Sequence, residues 1–288
     1  MVNRFIAVDW GTTNRRIYVI DGGKVVSTER DAKGILSVEA GEYEKEIAAI
    51  RARYGDLRML LAGMVGSNRG WVEADYVPTP ATIEKLAAAL VRPLPGVAIV
   101  PGVSDRTDRR GDVMRGEEVQ LLGAAAAQLV PEAALLCQPG THCKWAHIED
   151  GAIHAFTTAM TGELFGLLKA HSLIGSEMAG EVAPGDAFLE GVEEARKGDM
   201  LGSLFGVRAA SLLNLRPSHA AASFVSGLLI GADVGAHVRR DSIVYLLADA
   251  ELAALYGAAI MAMGAQPHVV DSHAAFVAGI SRISELST

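Results

Sequence analysis

The feature that most restricts what this chain can fold into is a strand–turn–strand unit that occurs twice. Residues 5–8 and 16–20 are short β-rich runs on either side of Asp9-Trp10-Gly11-Thr12-Thr13-Asn14, and residues 134–138 and 143–148 flank Pro139-Gly140-Thr141-His142 in the same way. Each unit acquires a third strand after a glycine turn, at residues 24–27 and at 152–157. Hydrophobic periodicity then predicts helices over 41–54, 82–90 and 117–129, with buried strands at 59–62 and 97–100. After the second unit it predicts helices over 162–172, 185–197, 200–205, 217–238, 251–263 and 272–286, with strands at 243–247 and 268–270. This alternation is α/β, in two similar halves with a cleft expected between them. The boundary is placed near residue 131, giving domains 1–131 and 132–288, the last helix being free to pack back on the first.

Composition narrows the function classes. The 288 residues carry a net charge of -8 with a pI near 5.5, so no basic field exists to draw in nucleic acid or an anionic membrane surface. Apolar stretches such as 123–130 are too short to cross a bilayer, and the N-terminus leads straight into a strand rather than a signal peptide. Cys137 and Cys143 are too few for a disulfide framework, which points to free thiols and a cytoplasmic chain. The charged segment 102–115 reads as a solvated surface loop.

The two turns suit phosphate chemistry, the first being equally readable, taken alone, as a Gly/Asn turn with an Asx cap. Gly11 lets backbone N–H groups approach an anion, Thr12 and Thr13 add hydroxyl donors, and Asp9 at the strand end suits a magnesium ion held through water. Gly140, Thr141 and His142 repeat the pattern, with Lys144 a nearby cation. His142 is equally readable as a hydrogen-bonded turn residue, and Lys144 as a solvated strand lysine. Phosphoryl transfer to an alcohol also needs a carboxylate that orients the hydroxyl and takes its proton. Arg115-Gly116-Glu117-Glu118 offers two at a helix start, where either one could equally be a first-turn acid favoured by the helix dipole. Glu117 is the candidate base and Glu118 its rival.

These elements in this order resemble the fold shared by sugar kinases, hexokinase, actin and the heat-shock ATPases: two ribonuclease H-like (actin-like ATPase) domains. Segment 116–123 is similar to the helix start of glycerol-kinase-like enzymes, with glutamate in place of their aspartate. A closer resemblance, to the 2-dehydro-3-deoxygalactonokinase family, rests on Asp9-Trp10-Gly11-Thr12-Thr13-Asn14-Arg15-Arg16, on the runs 62–71 and 113–118, and on Pro139-Gly140-Thr141-His142-Cys143-Lys144-Trp145. The runs 160–164, 171–175 and 226–232 add to it. The resemblance implies transfer of the ATP γ-phosphate, with Mg2+, to the 6-hydroxyl of 2-dehydro-3-deoxy-D-galactonate. It implies adenosine contacts after the strand 243–247, at Ala248 and Asp249, where related kinases carry a Gly-Gly pair. A sugar-acid substrate needs a cation and several hydrogen-bonding partners. Arg16, Arg115, Ser67, Asn68 and Trp71 are the candidates, with Arg15, Arg69 and Lys144 weaker ones. Thr161 is expected to cap a helix, and Glu163 either to follow it as a first-turn acid or to face the sugar. The alternatives are a kinase for another sugar or sugar acid, and a sugar-acid sensor that binds without transferring phosphate.

Overall fold

A computed structural model describes residues 4–287. The chain divides into two compact units. The first takes the chain as far as Ala133, together with Ala146–Phe156 and everything from Asp271 onward; the second is Ala134–Trp145 with Thr157–Val270.

In the first unit, β1 (Arg4–Trp10), β2 (Arg15–Asp21) and β3 (Lys24–Asp31) form an antiparallel meander, followed by α1 (Tyr43–Tyr54) and β4 (Met59–Ala62). Next come β5 (Val77–Pro78), α2 (Ile83–Ala88), β6 (Val91–Leu94), β7 (Val97–Ile99), β8 (Val103–Arg106), β9 (Gly111–Met114) and α3 (Glu117–Ala126). The main sheet runs β3-β2-β1-β4-β7-β6. β1 is antiparallel to β2 and parallel to β4, so its carboxyl end sits mid-sheet, where open α/β sheets present ligand groups. One face of the sheet buries Ile6, Val8, Ile17 and Val19 against Ile47 and Ile50 of α1.

Two expectations are corrected here. Segment 102–115 is not a solvated loop: β8 and β9 pair as a hairpin whose other neighbour is β5. Asp105 accepts hydrogen bonds from Thr79 Oγ1 (2.8 Å) and from the Phe156 N–H (3.3 Å). Such a short, half-exposed ribbon has no apolar alternation to announce it. β3 also continues four residues past the expected strand end, to Asp31.

A five-stranded sheet, β12-β11-β10-β13-β14, is made of β10 (Ala133–Gln138), β11 (Cys143–Glu149), β12 (Ala152–Ala159), β13 (Ile243–Leu247) and β14 (Gln266–Val270), of which all but Ala133 and the parts of β11 and β12 within Ala146–Phe156 belong to the second unit. The helices of that unit are α4 (Thr161–His171), α5 (Asp186–Ala195), α6 (Met200–Leu212), α7 (Ala221–His237) and α8 (Ala250–Ala262). α6 runs well past the predicted stop, because Gly206 costs a helix interior only about 1 kcal/mol. The core gathers Cys137, Trp145, Phe188, Val192, Ile230, Val234, Val244 and Leu246. The final helix, α9 (Ser272–Leu286), belongs to the first unit and packs on α3 and α2. No helix among the described residues is long and apolar enough to cross a membrane.

Candidate active site

In the first unit, the 9–14 turn is fastened from outside. The carbonyls of Gly11, Thr12 and Thr13 accept N–H bonds from Ile35, Leu36 and Gly34, while the Gly11 N–H closes on the Asn14 carbonyl at 2.9 Å. The Gly11 amide is therefore spent within the turn, and the Thr12 and Thr13 side chains stand exposed. Asp9 lies opposite Arg16 on β2. Burial pushes its carboxyl up to about 6, with Arg16 pulling it down and Glu117 pushing it up, so it is mostly ionised at neutral pH. Arg16 Nη1 donates to His273 Nε2 (3.0 Å) and lies 3.3 Å from the Tyr18 hydroxyl. Arg15 points to the other face, pairs with Asp31 (2.7 Å) and Glu46 (2.9 Å), and lies over the Trp10 ring. Its charge is already balanced.

Backbone geometry sets where α3 begins. Gly116, before α3, has φ +109°, and a Cβ there would sit 3.1 Å from the Gly63 Cα just beyond β4. Only glycine allows both the conformation and the approach. Glu117 Oε2 accepts the Arg115 N–H at 3.1 Å, and Glu118 Oε2 accepts the Gly116 N–H at 2.6 Å. The two acids then part ways. Glu118 is fully buried, its Oε1 has no hydrogen-bond partner, and burial with the Glu117 charge pushes it up to about 8, so it is a neutral acid at pH 7. Glu117 is only half-buried and interacts electrostatically with Asp9. Glu118 is thus a first-turn acid of α3, and a buried one.

The segment after β4 holds the other first-unit candidates. Ser67 Oγ donates to the Met64 carbonyl (2.7 Å) and accepts the Arg69 N–H, so its hydroxyl serves the local turn. Asn68 and Arg69 are exposed. Trp71 stacks on Tyr43 at 5.9 Å and packs against the core. Arg115 is buried, its Nη2 donating to the Ala74 carbonyl (2.7 Å) and its guanidinium lying over Tyr76. Its Nε and Nη1 have no partner, which makes it the candidate cation with spare donors.

In the second unit, α4 abuts the 140–142 turn: a Cβ on Gly162 would lie 2.4 Å from the Gly140 carbonyl, and the Glu163 N–H donates to the Thr141 carbonyl (2.8 Å). His142 Nε2 and Glu163 Oε2 are 2.6 Å apart. Thr161 does not cap α4. It is the first helical residue, one position past the cap Met160, and its hydroxyl donates to Asp233 Oδ2 at 2.7 Å. Asp233 also accepts from Trp145 Nε1 (2.8 Å) and the Tyr256 hydroxyl (3.0 Å). Sequence reasoning missed it, although it is the lone acid in the apolar run 220–238. A cavity of about 170 Å³ is lined by Gly140, Thr161, Gly162, Phe165, Leu255 and Tyr256 among others. Asp249 caps α8 by accepting the Leu252 N–H at 3.0 Å, directly after Ala248. Lys144 is buried and donates to Thr158 Oγ1 (3.0 Å), so it is not a solvated strand lysine.

A family profile described as 2-keto-3-deoxy-galactonokinase matches residues 9–283. The 2-dehydro-3-deoxygalactonokinase of Escherichia coli K12 is 37% identical over 290 residues, covering 99% of this chain and 98% of that protein. A crystal structure from Sinorhizobium meliloti, described under the same kinase name, superposes with a TM-score of 0.88 at 34% identity over 98% of this chain and 96% of its own. At 12% identity the activator of 2-hydroxyisocaproyl-CoA dehydratase from Clostridium difficile, with bound ADPNP, superposes at 0.51 over 98% of this chain and 95% of its own; it shares the actin-like ATPase fold alone. With the profile matching residues 9–283 and a relative 37% identical over 99% of this chain, the chain belongs to the 2-keto-3-deoxy-galactonokinase family.

Proposed function

We propose that this chain transfers the γ-phosphoryl group of ATP to the 6-hydroxyl of 2-dehydro-3-deoxy-D-galactonate in galactonate breakdown. The observation that carries this reading is the electrostatic interaction of Asp9, at the end of β1, with Glu117, in the first turn of the helix whose preceding Gly116 packs on Gly63. Glu117 orients the acceptor hydroxyl and takes its proton as the oxygen bonds to the γ-phosphorus and the bond to the β-γ bridging oxygen breaks. ADP and the 6-phosphorylated sugar acid leave.

The donor set fits a hydrated magnesium ion: one half-buried, mostly ionised carboxylate at Asp9. Bound there with the phosphates, the ion would neutralise charge on the transferring group. Thr12, Thr13 and the backbone beyond Gly11 are assigned to phosphate oxygens, as are Gly140, Thr141 and His142 in the second unit. The cavity beside Thr161 and Tyr256 is assigned to the nucleoside, with Ala248 and Asp249 near its rim. Arg115, with unpartnered Nε and Nη1, is assigned to the substrate carboxylate, and Arg16, Ser67, Asn68 and Trp71 to its surroundings. A division with the sugar acid held by the first domain and the nucleotide by the second accounts for this distribution. Cys137 and Cys143, with sulfurs 3.6 Å apart and unjoined, favour a cytoplasmic setting.

The test is a coupled ADP-release assay over a panel of sugar acids. Turnover with 2-dehydro-3-deoxy-D-galactonate far above that with its gluco epimer, D-galactonate or free hexoses is expected. Comparable rates on a hexose, or no turnover on any sugar acid, would overturn the assignment.

A further inference from the structure

The three-stranded meander carries two cross-strand rows next to the phosphate turn, and only one is balanced in charge. On one face Arg15 lies opposite Asp31 and is paired with Asp31 and Glu46. On the other, Asp9 lies opposite Arg16 and Arg16 opposite Arg30. Like charges directly opposite one another in a sheet are unfavourable unless something sits between them. Arg30 makes no hydrogen bond or ion pair among the described residues. Arg16 has only neutral hydrogen-bond partners, Tyr18 and His273. Burial, Arg16 and Arg30 all push the His273 imidazole toward its neutral form, so it accepts from Arg16 and holds it in place. Both arginines border a cavity of about 200 Å³ whose remaining wall is Asp9 and the turn from Gly11 to Arg15.

We propose that Arg16 and Arg30 form a phosphoryl-binding subsite beside the 9–14 turn, with His273 as the positioning residue for Arg16. Two guanidinium groups and the exposed hydroxyls of Thr12 and Thr13 offer more donors and charge than a carboxylate can use, and Asp9 on the same wall disfavours a monoanion. A phosphoryl dianion satisfies all of them. The assignment rests on the reading of the turn as phosphate-binding, adds Arg30, on β3, to it, and gives Arg16 to the phosphoryl group in place of the sugar acid. The phosphoryl group can come from the nucleotide or from free phosphate.

The experiment measures binding by calorimetry to wild type, Arg30→Gln and Arg30→Lys, with thermal melts as the folding check. The probes are Mg-ATP, inorganic phosphate, adenosine and D-galactonate. Arg30→Gln is expected to weaken Mg-ATP roughly tenfold, as loss of a charge-assisted contact does, with adenosine and D-galactonate unchanged and Arg30→Lys partly restoring affinity. Parallel weakening of inorganic phosphate identifies a subsite open to either source; weakening of Mg-ATP alone identifies the nucleotide. Unchanged Mg-ATP and phosphate affinity in Arg30→Gln overturns the subsite, and so does a loss confined to D-galactonate. Wild-type protein that binds neither Mg-ATP nor phosphate brings down the phosphate-turn reading itself, and the subsite with it.

Discussion

Two adjacent glutamates in α3 have nearly the same sequence context and opposite environments. Glu117→Gln is expected to lower kcat roughly 10²- to 10⁴-fold with little change in ATP affinity, because the hydroxyl loses its proton acceptor. Glu118→Gln should stay within a few-fold of wild type, since Glu118 is already uncharged at pH 7 and glutamine mimics the neutral acid. Steady-state kinetics on both variants decide the matter; a slow Glu118→Gln beside an active Glu117→Gln reverses the roles. A pH signature follows from the same burial. Glu118 titrates near 8 in the folded state against an ordinary value of 4.5, so the folded chain holds a proton that the unfolded chain has lost between those values. Its contribution to stability is fully present below about 4.5, falls as pH rises, and is gone above about 8. Melts from pH 5 to 8.5 should therefore show Glu118→Gln gaining on wild type as pH rises; parallel curves would contradict the buried neutral acid. Asp9→Asn is expected to fold, to turn over far more slowly, and to need more magnesium for half-maximal rate, as an ionic ligand becomes neutral. Sequence alone shows an acidic pair at a helix start. Which acid is buried depends on a rotation of about 100° per residue, and on the contact of Gly116 with Gly63, residues far apart in the chain.

At the scale of elements, the order of strands and helices was largely legible, because each follows a clear period of 2 or 3.6 with glycine or proline at its ends. The β8–β9 hairpin was not, since Asp105, Arg106 and Asp112 look like loop residues until Thr79 and Phe156 are seen to bind Asp105. Asp233 on α7 is the other hidden element-level feature. It ties the start of α4 through Thr161, β11 through Trp145 and α8 through Tyr256, and two of those partners line the cavity assigned to the nucleoside. Asparagine there keeps the shape but accepts through one oxygen and turns an NH2 group toward donors. Asp233→Asn should cost about 2–3 kcal/mol of stability and raise the KM for ATP several-fold while leaving the KM for the sugar acid unchanged. Equal rises in both would mark a general loss of structure rather than a distortion of this cavity.

For the whole molecule, the connectivity matters most. The first unit is completed by α9, which follows the second unit in the chain, whereas the second lies wholly before Asp271. An amphipathic pattern in α9 says that one face is covered without saying by what. The answer lies in two glycines: a Cβ on Gly279 would fall 2.1 Å from the Val119 carbonyl, and one on Gly123 2.0 Å from the Ala275 carbonyl, so α3 and α9 meet backbone to backbone. Without α9, α3 loses the cover of Ala275, Phe276, Gly279 and Ile280, all buried, and Glu117, the proposed base at its first turn, loses its support. A chain ending at residue 270 should show α3 open to amide hydrogen exchange while α7 and β13 keep their protection, because local stability follows buried contacts rather than sequence position. Hydrogen exchange read by mass spectrometry on the full and shortened chains gives the result directly. Protection of α3 retained in the shortened chain would mean that the helix is held by other contacts, and that the position of Glu117 does not depend on the C-terminal helix.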